Sequence, residues 1–192
     1  MIWTSDRVRA ALSDPPPQQL PLQGDRASAV LLPLLARPGG ATLLLVRKSL
    51  RLAKHAGQVG FPGGALDAAE TAEAAALREA FEEVALAPER VELLGQLDDE
   101  RTWVTNFHIR PLVGWVRDVP ATWQLDPYEI DSVMEVGVQE LVETEPCSVL
   151  EFAAYGQAFA MPRWEFSGGR VVWGASGRIL NNFRQRLRRA DR

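Results

Sequence analysis

The chain has a single cysteine, Cys147, among its 192 residues. An internal disulfide is therefore impossible, and a reducing compartment is the simpler interpretation. A lone thiol is more often a small, buried, apolar residue than a nucleophile, so we expect Cys147 to have a packing role.

Long apolar runs and an excess of basic charge are also lacking. No stretch approaches the roughly 20 residues that cross a bilayer, and Asp6, Arg7 and Arg9 stand where a signal peptide would need its apolar stretch. The net charge is -4, so no overall basic field draws the protein to nucleic acid. We expect a cytoplasmic protein without membrane or nucleic-acid partners, which meets a small polyanionic substrate through local positive charge or metal.

Prolines mark the main division of the chain. Residues 5–12 predict a short helix, and the run Asp14-Pro15-Pro16-Pro17 stops it, because proline lacks an amide donor and disfavours helix in the residue before it. Residues 13–27 then predict an extended linker. We therefore expect residues 1–27 to be an appendage, formed by a helix and a Pro-rich linker, and residues 28–192 to form one domain.

The domain is predicted to be α+β. Two apolar runs, 29–36 and 41–46, are split by a Pro-Gly turn and predict a buried hairpin. A helix is predicted over 68–87, where Ala, Glu, Leu and Arg dominate, with Asp67 or Thr71 as its cap. The other predicted elements are strands at 91–97, 107–116 and 130–136, weaker strands at 151–160 and 170–173, and a closing helix at 177–189. Mixed strands with two main helices covering them are the expected architecture.

Three acids on the first of these helices predict a metal site. Glu79, Glu82 and Glu83 are three or four residues apart, so their side chains share one helix face and repel one another. Clustered carboxylate oxygens suit hard cations such as Mg²⁺ or Mn²⁺, which would convert the repulsion into binding. The alternative is a solvated acidic face, which is common on Ala-rich helices.

The loop before the helix is basic and rich in glycine. Arg47, Lys48, Arg51, Lys54 and His55 fall within nine residues that contain no acid, and Arg and Lys are the usual phosphate partners. We expect at least one of Arg47, Arg51 and Lys54 to contact phosphate and His55 to be structural. The paired glycines at the end of this loop, residues 63 and 64, allow a close backbone approach that would suit carbonyls turned toward a metal; an ordinary tight turn is the alternative.

These residues together resemble the Nudix box, G-x5-E-x7-R-E-U-x-E-E-x-G-U, in which U is aliphatic. Eight positions match at the required offsets: Gly64, Glu70, Arg78, Glu79, Ala80, Glu82, Glu83 and Leu86. Ala85 replaces the second glycine, a change that we expect to affect structure and not catalysis. The resemblance implies an α/β/α sandwich with a mixed sheet and a catalytic loop–helix–loop. It also implies that Glu79, Glu82, Glu83 and a carbonyl of Gly63 or Gly64 bind metal, with Glu70 and Arg78 as a supporting pair.

A longer pattern before the box resembles the coenzyme A pyrophosphatase branch of the Nudix proteins, L-L-T-x-x-S-x3-R-x3-G-x3-F-P-G-G. The matching positions are Leu44, Leu45, Ser49, Gly57 and the run Phe61-Pro62-Gly63-Gly64. Val46 replaces the threonine, and Ala53 stands where an arginine is expected. The likeness covers roughly residues 29–185 and includes Trp173-Gly174. It implies that Mg²⁺ or Mn²⁺ assists hydrolysis of coenzyme A to adenosine 3′,5′-bisphosphate and 4′-phosphopantetheine, with Arg47, Arg51, Lys54 and Phe61 as substrate contacts.

Several assignments stay open at the level of sequence. Glu82 is the first candidate for the general base and Glu129 the second, with Glu79 beside them in the catalytic set; Asp98, Asp99 and Glu100 are a weaker group that we expect to be solvated. ADP-ribose, NADH and dinucleoside polyphosphates are alternative substrates, because the box does not separate them from coenzyme A. A ligand sensor without catalysis is a less favoured alternative, and the oligomeric state, including a homodimer, is open.

Overall fold

The computed structural model describes residues 2–102, 105–154, 157–166 and 169–191. Its helices are α1 (Ser5–Ser13), α2 (Ala72–Val84), α3 (Val138–Glu143) and α4 (Gly174–Ala190), with a 3-10 turn at Pro88–Arg90. Its strands are β1 (Arg26–Leu35), β2 (Thr42–Lys48), β3 (Val59–Gly60), β4 (Gly63–Ala65), β5 (Val91–Gln96), β6 (Glu100–Thr102), β7 (Phe107–Val116), β8 (Ile130–Gly137), β9 (Ser148–Ala154), β10 (Gln157–Phe166) and β11 (Arg170–Val172).

The sheet is mixed, as the sequence predicts. β1 runs parallel to β7 along its whole length, and β11 runs parallel to β3. The predicted hairpin of β1 and β2 is present, but only two residue pairs join these strands, Leu34 with Leu43 and Leu35 with Thr42. β2 pairs with β8 along its whole length, and near its end it pairs with β3 at Val46 and Arg47. The hairpin strands diverge because each finds a longer partner elsewhere in the sheet.

Alternation along the strands divides the core into two layers. In β2, Leu43 and Leu45 pack on one face of the sheet with residues of α1, α3 and α4. Leu44 and Val46 pack on the opposite face with the alanine side of α2. Successive strand residues point to opposite faces, so both layers are built from the same apolar runs. Helices therefore cover both faces, which confirms the α+β class and the α/β/α sandwich with a mixed sheet.

The N-terminal helix belongs to this core, which makes the description of residues 1–27 as an appendage wrong for that helix. Trp3, Val8, Ala11 and Leu12 are buried in the same layer as α4. Residues 14–25 have no helix or strand, so the linker is shorter at both ends than the predicted 13–27. Amphipathic spacing in a nine-residue helix gave too weak a signal for this packing to be predicted from sequence.

Acids after β5 fasten the linker to the domain. The amide of Gln18 donates to Asp98 at 2.8 Å and the amide of Leu20 donates to Asp99 at 3.0 Å. Asp99 is 8% exposed and also accepts hydrogen bonds from Arg110 at 3.1 Å. The expectation of a solvated group is therefore wrong for Asp99, because a buried carboxylate with several donors has exchanged water for protein partners.

Other differences from the sequence prediction are local. α2 begins at residue 72, because the Thr71 side chain accepts a hydrogen bond from the Ala74 amide and caps the helix there. The single weak strand predicted over 151–160 corresponds to parts of β9 and β10. Cys147 is exposed, not buried. None of the helices in the described ranges is long and apolar enough to span a membrane.

The end of α2 carries a backbone strain that the sequence explains. Ala85 adopts a left-handed conformation with φ 54° and ψ 33°, and its amide donates to the carbonyls of Ala80 and Phe81. Glycine is the usual residue in this position, because a Cβ in the left-handed region costs about 1–2 kcal/mol. The substituted glycine of the box therefore has a structural consequence, as the sequence predicts.

We expect Ala85→Gly to raise the free energy of unfolding by about 1 kcal/mol, since it removes this strain. The matched control is Ala74→Gly, at an exposed position of regular helix in α2. That change is expected to lower stability by about 1 kcal/mol. Urea unfolding followed by circular dichroism measures both. Equal destabilisation by the two substitutions would contradict the strain.

Candidate active site

The acidic residues are carried on the side of α2 that turns away from its alanines. Ala72, Ala75, Ala76 and Ala80 are buried against the sheet, which fixes the rotation of the helix about its axis. Glu79 and Glu82 then lie toward the loop of residues 63–70, and Glu83 faces the end of β2. One helix thus presents three carboxylates in two directions, two toward Arg78 and one toward Lys48.

Arg78 joins the acids of α2 to the loop of residues 63–70. Its guanidinium bonds Glu70 at 2.9 Å, Glu79 at 2.9 Å and Glu82 at 2.9 Å, and it also donates to the carbonyl of Ala65 at 3.1 Å. The Arg78 hydrogen bond lowers the pKa of the Glu70 carboxyl. Arg78 therefore holds the loop and two of the acids in one arrangement, consistent with the support role predicted for Glu70 and Arg78.

Gly63 and Gly64 are needed for two different close approaches. A Cβ on Gly63, where φ is 157°, would lie 2.4 Å from the carbonyl oxygen of Ala29 in β1. A Cβ on Gly64 would lie 2.3 Å from a carboxylate oxygen of Glu79. The first contact is with backbone that cannot move, and the second is with the end of a side chain. The paired glycines therefore bring β4 against β1 and the Glu79 carboxylate against the loop.

Glu83 is the most buried of the three helix acids. Its side chain is 1% exposed, and Lys48 Nζ lies 2.5 Å from Oε1. Within the part of the chain that the structure describes, Oε2 is buried without a hydrogen-bond partner. Burial raises the pKa of the Glu83 carboxyl to about 7, against the opposite effect of Lys48. This side of the site therefore holds a carboxylate whose charge is incompletely compensated.

Glu129 is brought beside this pair by the loop between β7 and β8. The amide of Asp126 donates to the carbonyl of Glu83 at 3.0 Å, and the amide of Ser49 donates to the carbonyl of Glu129 at 2.7 Å. These bonds join the loop to α2 and to the end of β2. The Glu129 side chain is 51% exposed, with Oε2 3.9 Å from Lys48 Nζ. The second candidate base thus lies next to Glu83 although 46 positions separate them in the chain.

Protein cations, not one another, are the partners of the helix acids in this structure. Arg78 binds Glu79 and Glu82, while Lys48 binds Glu83. Accordingly, no three His, Cys, Asp or Glu side chains in the described ranges converge tightly enough to hold a metal ion. The donor chemistry nevertheless fits a hard divalent cation, because the free Glu83 oxygen is buried and burial also raises the pKa of the Glu79 carboxyl. A bound cation would compensate both carboxylates.

The predicted substrate contacts fall in three different environments. Arg47 is half exposed, lies 3.3 Å from Asp131 and lines a cavity of about 590 Å³. Arg51 and Lys54 are exposed on the loop after β2, and the ring of His55 bonds Gln58 at 2.8 Å within the same turn. Phe61 is 5% exposed and packs in the core, where it anchors the turn; its contact with substrate stays a prediction.

Lys48 is the residue that sequence reasoning left without a role. It follows Leu44 and Val46 at intervals of two, and both of these pack on the α2 face. The same alternation predicts that Lys48 faces α2 and that Arg47 faces the opposite side. Grouping all the basic residues as one phosphate-binding loop concealed this difference.

The two glycines predict different defects when each receives a methyl group. We expect Gly63→Ala to lower thermal stability strongly, because the added Cβ meets the β1 backbone, and Gly64→Ala to leave folding nearly intact while displacing the Glu79 carboxylate and reducing turnover by at least about tenfold. Thermal melts and initial rates on each purified variant separate the two effects. A Gly64→Ala variant with full activity would contradict the placement of Glu79.

Metal-free protein should show the buried charge of Glu83 directly. A raised pKa means that the folded protein binds this proton more tightly than the unfolded chain does. The free energy of unfolding therefore falls as the pH rises from 4.5, the ordinary pKa of the group, to about 7, the pKa of Glu83 in the folded protein. We therefore expect Glu83→Gln to gain stability over wild type across this interval, by on the order of 3 kcal/mol in total. Urea unfolding in the presence of chelator, at pH 5 and at pH 8, measures the difference in free energy of unfolding between the variant and wild type. If the free energy of unfolding depends on pH in the same way in both proteins, the raised pKa of Glu83 is excluded.

The comparisons with known proteins agree with this fold. A NUDIX domain model matches residues 25–154. Nudix hydrolase NudL of Salmonella paratyphi B is 37% identical over 158 residues, covering 81% of this chain and 79% of NudL. Nudix hydrolase 3 of Caenorhabditis elegans is 30% identical over 171 residues, covering 81% of this chain and 70% of that protein.

Solved structures add the likeness in three dimensions. The MutT protein from Methanosarcina mazei superposes with a TM-score of 0.54 at 17% identity, covering 92% of this chain and 98% of that chain. The likeness at this low identity concerns the fold alone, whereas the domain match and the two relatives also cover the helix with its acids. The chain therefore belongs to the Nudix hydrolase family, whose members act on pyrophosphate bonds.

Proposed function

We propose that the protein hydrolyses the diphosphate of coenzyme A, or of an acyl-coenzyme A, to adenosine 3′,5′-bisphosphate and 4′-phosphopantetheine with Mg²⁺ or Mn²⁺. The family supports cleavage of a diphosphate in a nucleotide derivative. The observation that carries the site is Glu83, a buried carboxylate with one unpaired oxygen, beside Glu79 on α2 and Glu129 on the adjoining loop. The narrower choice of coenzyme A depends on the pattern that precedes the box.

The proposed metal ligands are Glu79, Glu82 and Glu83, together with a carbonyl of Gly63 or Gly64. The bound ions would supply stabilisation of negative charge on the phosphate oxygens and a lower pKa for the attacking water. The protein side chains fix where that charge is placed: Arg78 orients Glu79 and Glu82, and the alanine face of α2 sets the position of Glu83.

The general base is proposed to be Glu82 or Glu129, and both are accessible to a water molecule. The Glu82 side chain is 56% exposed and accepts a hydrogen bond from Arg78. Glu129 is 51% exposed, and its nearest cation, Lys48, is beyond hydrogen-bond distance at 3.9 Å. A carboxylate at the site mouth can take a proton from water when substrate is bound. Lys48 would be available to substrate phosphate once Glu83 has another cation as its partner.

The pattern that favours coenzyme A builds the loop next to these acids. The Ser49 amide holds the Glu129 backbone. Gly57 turns the chain with φ 70°, where a Cβ would lie 2.9 Å from the side chain of Leu50. Phe61 anchors the far end in the core. These motif positions shape a loop whose Arg51 and Lys54 are exposed, in agreement with a role in binding a substrate that carries several phosphates.

Other nucleotide diphosphates are the alternative substrates, and the loop does not exclude them. ADP-ribose, NADH and dinucleoside polyphosphates share the diphosphate that the acids would act on. A non-catalytic sensor is disfavoured because Glu79, Glu82 and Glu83 are all retained.

The chemistry of the site is tested by Glu83→Gln, which we expect to lower turnover at least about a hundredfold with folding intact. Glu73→Gln, an exposed acid in the first turn of the same helix, is the matched control and should retain activity. Rates with Mg²⁺ and with Mn²⁺ are measured at saturating metal. Wild-type turnover by the Glu83 variant would overturn the assignment of this carboxylate.

The substrate is tested by phosphorus NMR of the products formed from coenzyme A. Adenosine 3′,5′-bisphosphate and 4′-phosphopantetheine are the expected products, since the cut lies within the diphosphate. A panel of ADP-ribose, NADH and dinucleoside polyphosphates gives kcat/KM for comparison. A tenfold preference for ADP-ribose would overturn the coenzyme A assignment and leave the reaction class unchanged. Tight binding without any product would support the sensor.

A further inference from the structure

A cavity of about 590 Å³ lies on the face of β2 opposite α2. Its walls come from β2, β3, β8 and β11 and from the residue that precedes α4; they include Arg47, Val59, Met134, Arg170 and Trp173. The volume is in the range of small-molecule sites, and the lining is more polar than apolar. Gly57 of the pattern before the box also lines the cavity, whereas Val59, Met134 and Arg170 belong neither to the box nor to the matching positions of that pattern.

The charged side chains that line this cavity are basic. Arg47 and Arg170 line it, and no Asp or Glu does so within the described ranges. Arg170 is exposed, and no ion pair joins it to another described residue. Among the described residues, Arg47 has one ion pair, with Asp131 at 3.3 Å. One unpaired guanidinium beside a half-exposed one favours an anion, and their planar donors match phosphate oxygens.

The cavity also offers a surface for an aromatic ring. Trp173 is 44% exposed although it is a large apolar residue, and it is the N-cap residue that precedes α4. Val59 and Met134 provide apolar walls nearby. An exposed indole stacks well on a nucleobase and a guanidinium adds to such stacking, so the combination of Trp173 with two arginines fits a phosphorylated nucleoside better than a simple anion.

The position of the cavity relates it to the acids across the same strand. Lys48 reaches Glu83 on one face of the end of β2, and its neighbour Arg47 lines the cavity on the other face. A substrate with a diphosphate and a separate phosphate monoester has two groups that these two successive residues can meet. We propose that the cavity binds the phosphate monoester and the base of the substrate's nucleoside half, with Arg170 and Arg47 on the phosphate and Trp173 on the base. The assignment rests on the proposed function.

Binding of adenosine 3′,5′-bisphosphate to metal-free protein tests the cavity without any turnover. Calorimetry in chelator should show binding that weakens at least about tenfold in Arg170→Ala and in Trp173→Ala. Arg117→Ala is the matched control, because that arginine is 70% exposed and paired with Glu92 on another part of the surface; its affinity should equal that of wild type. Wild-type affinity in both cavity variants would overturn the proposal, whether or not coenzyme A is a substrate.

Kinetics with metal then distinguish a substrate subsite from an independent nucleotide site. Arg170→Ala should raise KM for coenzyme A about tenfold with a smaller change in kcat, and should alter KM for dephospho-coenzyme A, which lacks the 3′-phosphate, by less than about twofold. Equal effects on the two substrates would remove the 3′-phosphate as the group recognised. Loss of bisphosphate binding with unchanged KM for coenzyme A would show a separate nucleotide site and overturn the assignment to substrate.

Discussion

The buried carboxylate of Glu83 and its contact with Lys48 are the interaction on which the site depends. Moving a carboxylate out of water costs free energy, and the interaction with a single lysine offsets that cost only in part. The pKa of Glu83 therefore rises to about 7. A buried pair of this kind adds little to stability. The pair instead places a desolvated carboxylate oxygen where a helix, the end of a strand and a loop meet.

The alanine face of α2 makes that burial possible. Small side chains let the helix approach the sheet closely, and Ala80 and Val84, the neighbours of Glu83 on the helix surface, are fully buried. Arg78 and the two glycines then determine the other half of the site. Burial fixes the position of the Glu83 carboxylate, and Arg78 fixes those of Glu79 and Glu82, so the same helix carries carboxylates of unequal solvent exposure.

The acids, their spacing and the fold class were predictable from sequence, because the box specifies positions along one helix and helix geometry converts those positions into a face. The contact of Lys48 with Glu83 was also within reach, since Leu44 and Val46 show which way alternate residues of β2 point. Arg170 and Trp173 were not. They come to Arg47 only through the parallel pairing of β11 with β3, a long-range register that no local pattern reveals. The burial of Phe61 was not evident from the sequence either, because a motif position does not show whether its side chain packs in the core or faces a ligand.

The joining of the two chain ends sets the size of the folding unit. Arg186 in α4 donates to the carbonyls of Leu12 at 3.1 Å and Pro15 at 2.5 Å, and to Asp98 at 2.6 Å. The family model ends at residue 154 and so omits α4, and it begins after α1. A fragment trimmed to the matched segment would keep α3 but lose α1 and α4, and would expose much of the apolar layer that they cover to water. The segment that the family model matches is therefore shorter than the segment that packs as one folded unit.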